Sequence, residues 1–97
     1  MKILISNSAF SDLENIKGYY EDKGVPKVGL KTVTSILEHI QTLTENPEIG
    51  RVVPEFGEPK IRELIHPPFR IVYLREQCSV HIVRVWRSER LPGLPEE

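Results

Sequence analysis

Several features are scarce in this chain, and each scarcity excludes a class of protein. Cys78 is the only cysteine among the 97 residues, so no intrachain disulfide can form, which is typical of the reducing cytosol. No apolar run is long enough to cross a membrane, and the start, MKILISNSAF, lacks the apolar stretch of a signal peptide. We therefore predict one small cytoplasmic domain, residues 1–97, without membrane association.

An excess of charge of one sign is also missing, since the formal net charge is −1. The first fifty residues carry five basic and seven acidic side chains, and the remainder carries eight and seven. Because neither half is strongly basic, binding to a bulk polyanion is disfavoured. The chain has no glycine-rich phosphate loop, and His39, His66, His81 and Cys78 do not have the spacing of a metal site. We expect no metal and no cofactor.

Hydrophobic periodicity predicts the first three elements. Lys2–Ser6 is a short apolar run typical of a strand. Apolar residues then recur at helical spacing in two segments, at Ala9, Leu13, Ile16 and Tyr20, and at Val33, Ile36, Leu37, Ile40 and Leu43. The first helix is capped by Ser6, Asn7 or Ser8, or it begins one turn later at a capping box from Ser11 to Glu14. Gly24 and Pro26 separate the helices, and Asn46-Pro47 ends the second.

The second half of the chain reads as strands. Residues 48–59 are rich in Gly, Pro and Glu and predict an irregular connector, with Glu55 and Glu58 exposed. Alternating patterns then predict strands at Ile61–His66, Phe69–Glu76 and Val80–Trp86, separated by a turn at Pro67-Pro68 and a hairpin loop at 76–79. The tail, about residues 91–97, is expected to be mobile. The predicted class is α+β, in the order β-α-α-β-β-β, with a helical hairpin on a small, mostly antiparallel, four-stranded sheet.

The strand-rich region also holds most of the arginines, which are Arg62, Arg70, Arg75, Arg84, Arg87 and Arg90. A guanidinium is a rigid fork of donors that suits carboxylate and phosphate, although arginines also populate the wet face of antiparallel sheets. If the last two strands form a hairpin, Arg87 and Arg90 approach Arg70, and such a cluster is costly without an anion.

Three anions remain open as partners of this cluster: RNA phosphate, a carboxylate on another protein, or Glu63 and Glu89 of this chain. Trp86 would either anchor an interface or cap the core. We predict no catalytic residue. The candidate residues for binding a target or partner are Arg62, Arg70, Trp86, Arg87 and Arg90.

At this level of detail the chain resembles the RelE/ParE toxin superfamily of bacterial type II toxin–antitoxin systems. The resemblance covers nearly the whole chain and rests on Asp12-Leu13-x-x-Ile16 with Tyr19-Tyr20, Asn46 through Glu55, Ile61-Arg62-Glu63-Leu64, Phe69 through Tyr73, Val85-Trp86 and Arg90-Leu91. It implies the same element order and a small antitoxin that wraps the toxin. RelE-like members cleave mRNA in the ribosomal A site without a metal, whereas ParE-like members poison DNA gyrase.

Comparison with the two branches favours the ParE-like one. Arg70 falls where the nucleases keep a phosphate-binding arginine. Ser88, however, stands where a catalytic arginine is expected, Leu94 lies near the place of a C-terminal tyrosine, and Ile61 and Glu63 replace lysines. Many ParE-like relatives have histidine at the position of Arg87, which is a departure within that branch.

The leading prediction is therefore a plasmid-stabilisation type of toxin that inhibits growth by contact with DNA gyrase. Its partner would be an acidic, partly disordered antitoxin whose acidic residues meet Arg62, Arg70 or Arg90, and it would reach DNA only through that antitoxin. Two alternatives stay open, a ribosome-dependent endoribonuclease that holds phosphate with Arg70, Arg87 and Arg90, and an inactive module that only binds an antitoxin.

Overall fold

The structure, a computed structural model, describes residues 1–88. The segment 89–97, which contains Arg90, Glu89 and the tail predicted to be mobile, lies outside the described residues. The elements in chain order are β1 (Lys2–Ile5), α1 (Asn7–Asp22), α2 (Pro26–Gln41), a 3₁₀ turn (Thr42–Thr44), β2 (Arg51–Val52), β3 (Ile61–His66), β4 (Phe69–Arg75) and β5 (Ser79–Arg87). The predicted order and the α+β class are confirmed.

Local chemistry explains where the helices begin and end. The hydroxyl oxygen of Ser6 accepts a hydrogen bond from the Ala9 amide, which caps α1 at 3.0 Å. The capping box predicted one turn later is wrong, because the helix has already begun at Asn7. Gly24 has a φ of 79°, a backbone conformation that suits glycine, and α2 starts at Pro26. Helix α2 ends at Gln41, before the predicted stop at Asn46-Pro47, since the chain tightens there into the 3₁₀ turn.

The sheet has five strands, in the order β1-β5-β4-β3-β2. Strand β1 pairs with β5 in parallel, and the other three pairs are antiparallel. The strand missing from the four-stranded prediction is β2, which has two residues and lies inside the connector. Two residues are too few to show a period in the sequence. Only the long-range pairing with β3 defines this strand.

The helices cover one face of the sheet, and the connector covers part of the other. The helices pack over a cluster made of Ala9, Leu13, Ile36, Ile40, Leu43, Leu64, Phe69, Ile71, Tyr73, Val80, Ile82 and Val85. Val53 and Val72 are also buried but stand outside that cluster. Val72 points to the same side of β4 as Arg70, and Arg70 contacts Glu55 of the connector, so the connector lies over this part of the second face. No helix within residues 1–88 has the length and hydropathy needed to span a bilayer.

Candidate functional site

Arg70 lies at the centre of a buried cluster of charges on the connector side of the sheet. Its Nε atom donates to Glu63 Oε1 at 2.6 Å, and its two terminal nitrogens donate to the Glu55 carboxylate at 3.2 and 3.3 Å. The Arg70 side chain is only 3% exposed, that of Glu55 is 9% exposed and that of Glu63 is fully buried. From the rim, the Arg51 Nε atom donates to the second oxygen of Glu63 at 2.6 Å. Two guanidiniums thus face two carboxylates, and the cluster is neutral.

The pKa values of Glu55 and Arg70 shift towards the charged forms. Burial by itself would raise the pKa of Glu55, but the hydrogen bonds and charge of Arg70 outweigh it and hold that pKa below 4.5. Burial would likewise lower the pKa of Arg70, but Glu55 and Glu63 raise it. Glu58 is exposed as predicted, whereas the prediction that Glu55 is exposed is wrong. Glu55 lies within the irregular connector, and the path of that segment over the sheet could not be predicted from its sequence.

Arg62 anchors the connector at a different place. Its Nη1 atom donates to the carbonyl oxygen of Gly50 at 3.0 Å and approaches that of Glu48 at 3.5 Å. The Tyr73 hydroxyl joins the same segment, since it donates to the Pro47 carbonyl at 2.9 Å and accepts from the Gly50 amide at 3.0 Å. Burial raises the pKa of this hydroxyl. A Cβ atom on Gly50 would lie 2.6 Å from the Tyr73 oxygen, so only glycine fits beside the ring.

Trp86 and Arg87 belong to another site, a groove between α1 and the end of β5. The groove has a volume of about 670 Å³ and is lined by Asp12, Asn15, Ile16, Tyr19, Tyr20, Phe69, Arg84, Val85, Trp86 and Arg87. The Arg87 guanidinium lies over the Phe69 ring at 5.5 Å, and that of Arg84 lies over Trp86 at 4.8 Å. The groove therefore joins aromatic surface to positive charge.

An ion pair between α1 and β5 shapes the wall of this groove. Arg84 donates through Nε and Nη2 to the two oxygens of Asp12, at 2.8 and 2.9 Å, and the Val85 amide donates to Asp12 at 2.8 Å. The hydrogen bonds from Arg84 to Asp12 raise the pKa of Arg84. The sequence carried a signal that the prediction did not use, because Asp12 lies at helical spacing within the apolar stripe of Ala9, Leu13 and Ile16. An acid on a packing face needs a partner.

The predicted cluster of Arg70 with Arg87 does not form. In the β4–β5 pair, Arg70 stands opposite Trp86 and Phe69 stands opposite Arg87. Neighbouring residues of a strand point to opposite faces, so Arg70 and Arg87 lie on different sides of the sheet. The anion beside Arg70 is Glu63 of this chain, one of the partners left open, with Glu55 as a second. Arg90 and Glu89 lie outside the described residues.

The described residues hold no candidate metal centre. No three His, Cys, Asp or Glu side chains within residues 1–88 stand close enough to share an ion. Cys78 is exposed in the β4–β5 loop. The described residues instead offer an aromatic groove with arginines on its lining, which suits the binding of another protein.

Comparison with known proteins gives the class to which this fold and these sites belong. The structure from P. aeruginosa titled "Chromosomal ParDE TA system" matches the fold with a TM-score of 0.78, 26% sequence identity, and coverage of 92% of this chain and 97% of that chain. The family model described as the ParE toxin of the type II toxin–antitoxin system, parDE, matches residues 3–92. No curated protein sequence matches the chain. The chain belongs to the ParE toxin family of type II toxin–antitoxin systems. The resemblance stated from sequence, with the ParE-like branch favoured, is confirmed.

Proposed function

We propose that this chain inhibits DNA gyrase by protein–protein contact, and that a cognate antitoxin neutralises it in the cytoplasm. Membership of the ParE family supports this proposal. The matched P. aeruginosa structure is of a toxin–antitoxin system, which supports the antitoxin as a partner. The toxin itself would not contact DNA except through that antitoxin.

The burial of Arg70 and its pairing with two carboxylates favour a protein target over RNA. A phosphate-binding arginine needs free donors, and the Arg70 side chain is buried with its donors directed at Glu55 and Glu63. Glu63 stands where the nucleases of the superfamily carry a lysine, so this position supplies a negative charge instead of a positive one. To bind a phosphate, Arg70 would have to give up a buried carboxylate, which would then lie unpaired at a cost of several kcal/mol.

The groove between α1 and β5 is the surface that best suits an antitoxin. Tyr19 on α1 is exposed, and Trp86 and Arg87 line the groove from the end of β5. An amphipathic helix can place its apolar side on such aromatics while its acidic side chains meet the guanidinium. Arg87 and Trp86 are therefore the residues of the predicted set that we propose bind the antitoxin. Arg62 and Arg70 serve the connector, and in the free chain Arg70 is not accessible to a partner.

Supercoiling of relaxed plasmid by purified gyrase tests the proposed target. We expect supercoiling to be lost as the chain is added in excess, and to return when the antitoxin is added first. Full supercoiling at a large excess of folded chain would contradict the proposal. Primer extension on mRNA after induction gives the complementary reading, since cuts within translated codons would indicate the nuclease branch instead.

A pair of matched variants tests the antitoxin surface. Arg87→Ala removes one positive charge from the groove. Lys60→Ala removes one from the exposed residue just before β3, which contacts Arg75 at the end of β4 opposite to Phe69. We expect Arg87→Ala to weaken antitoxin binding by about tenfold or more, as for a charge paired across an interface, and Lys60→Ala to leave it within about twofold. Equal affinities of both variants, measured by calorimetry, would place the antitoxin elsewhere.

A further inference from the structure

Two histidines from separate elements meet where α2 approaches the sheet. His39 belongs to the last turn of α2, and His66 is the last residue of β3. Their Nδ1 atoms are 2.9 Å apart, and the Nε2 atom of His66 is 3.1 Å from the Ser35 hydroxyl oxygen. Both ring nitrogens of His66 are thus held by side chains that lie one helical turn apart on α2.

The contact between the two Nδ1 atoms can hold only one proton. One imidazole must donate through Nδ1–H while the other accepts through an unprotonated Nδ1. A first extra proton can reside at the far nitrogen of the donating ring, which leaves the hydrogen bond intact. A second extra proton makes both Nδ1 atoms donors, so the hydrogen bond is lost and two positive charges face each other.

The surroundings give the second proton no compensating charge. Lys31 of α2 and Tyr20 of α1 line the same opening as His66. On β4 the residue paired with His66 is the apolar Phe69. Within residues 1–88, no carboxylate forms an ion pair with either histidine. The carbonyl end of α2 beside His39 suits one positive charge, but a second charge, on His66, finds Lys31, Tyr20 and uncharged surface around its opening and, among the described residues, no paired carboxylate.

We propose that His39 and His66 form a proton-sensitive latch that fastens the end of α2 to β3 near neutral pH and releases it in mild acid. Release would free the end of the helical hairpin and widen the opening of about 280 Å³ beside Ser35, His66 and Pro67. This latch is a property of the fold and does not depend on whether gyrase is the target.

The direction of the pH dependence follows from proton linkage. Burial, and then the charge of His39, lower the pKa of His66 from 6.5. A group whose pKa is lower in the folded state takes up its proton more readily when unfolded, so acid favours unfolding. The contribution of the latch is therefore complete above about pH 6.5 and is lost as the pH falls below it.

Urea unfolding of the full chain between pH 7.5 and 5.0 tests the latch. For the wild type, we expect the folding equilibrium constant to fall by up to about tenfold per pH unit in acid through this pair. His66→Gln should remove that part of the pH dependence. His81→Gln, which removes the third histidine, on β5, should retain it. Superimposable pH profiles of the wild type and His66→Gln would overturn the proposal.

A titration of the wild-type imidazole signals by NMR keeps the test valid if His66→Gln does not fold. We expect the His66 signals to shift with a midpoint below pH 6.5, because burial and the charge of His39 lower the pKa of His66. A His66 midpoint at or above pH 6.5 would contradict the latch.

Discussion

Replacing Arg70 by alanine is the sharpest test of the buried charge cluster. The substitution removes the donors that hold Glu55 and Glu63, while Glu63 stays fully buried with Arg51 alone beside it. Breaking a buried ion pair by removing one partner costs about 3–5 kcal/mol, because the remaining charge is left uncompensated. A domain of this kind has a free energy of unfolding of about 5–15 kcal/mol, so the loss would be a large part of the total.

Arg51→Ala is a matched control for that substitution. Arg51 and Arg70 both donate through Nε to Glu63 at 2.6 Å, but the Arg51 side chain is 59% exposed. The Arg51 guanidinium is open to water and salt, which screen its charge, and Glu63 keeps Arg70 as a partner when Arg51 is removed, so we expect a loss of only about 1 kcal/mol or less. Arg70, by contrast, is buried and holds two carboxylates, so its removal should cost much more.

Urea unfolding at pH 7, followed by the fluorescence of Trp86 and by circular dichroism, measures both losses. We expect Arg70→Ala to lower the free energy of unfolding by about 3–5 kcal/mol and Arg51→Ala by about 1 kcal/mol or less. If the two variants agree within about 1 kcal/mol, the Arg70 cluster is hydrated and the reasoning from burial is refuted.

Three further predictions follow from the contacts described above. Gly50→Ala should destabilise the fold by about 1–3 kcal/mol, because its Cβ atom would lie 2.6 Å from the Tyr73 oxygen. Gly18→Ala, in open space on α1, should instead stabilise the fold by about 0.5–1 kcal/mol. Equal unfolding midpoints of the two variants would contradict this pair of predictions. Asp12→Ala should cost about 1–3 kcal/mol in urea unfolding, since a backbone amide of β5 loses its acceptor, and an unchanged midpoint would count against that role. The pKa of Glu55 is held below 4.5, so its contribution to stability should be present above that pH and be lost as the pH falls. In a plot of melting temperature against pH, Glu55→Gln should therefore reduce the fall seen in acid. An unchanged fall in acid would contradict this role of Glu55.

The parts of the fold that were predictable are those with a regular period. Strand β3 begins and ends at the predicted residues, and most residues of the two predicted apolar stripes pack on the sheet. The exceptions are Leu37, which is exposed, and Tyr20, which stands outside the core cluster, while Leu43 packs in the core from the 3₁₀ turn. Period-2 and period-3.6 patterns report which face of an element is buried, and they need no knowledge of distant contacts. Strand β2 and the path of the connector were not predictable, because long-range pairing alone defines them.

The contacts of the candidate sites also divide into those that strand alternation predicts and those that depend on long-range docking. The sequence placed arginines on the strands and suggested Glu63 as a partner of Arg70, since alternation puts both in the sheet. It could not place Glu55 over that sheet, nor bring His39 to His66, because each contact depends on how an irregular segment or a helix end docks. Arg87 was predicted beside Arg70, and the register of the hairpin instead puts it over Phe69.

Arg70 is bound by the chain's own carboxylates and is therefore not available to RNA phosphate. Nitrogen-15 NMR of the arginine Nε–H groups can follow this pairing in solution. We expect the Arg70 Nε–H to exchange with solvent much more slowly than that of Arg51 and not to shift when single-stranded RNA is added. An Arg70 signal that exchanges as fast as that of Arg51, or that shifts with RNA, would contradict it.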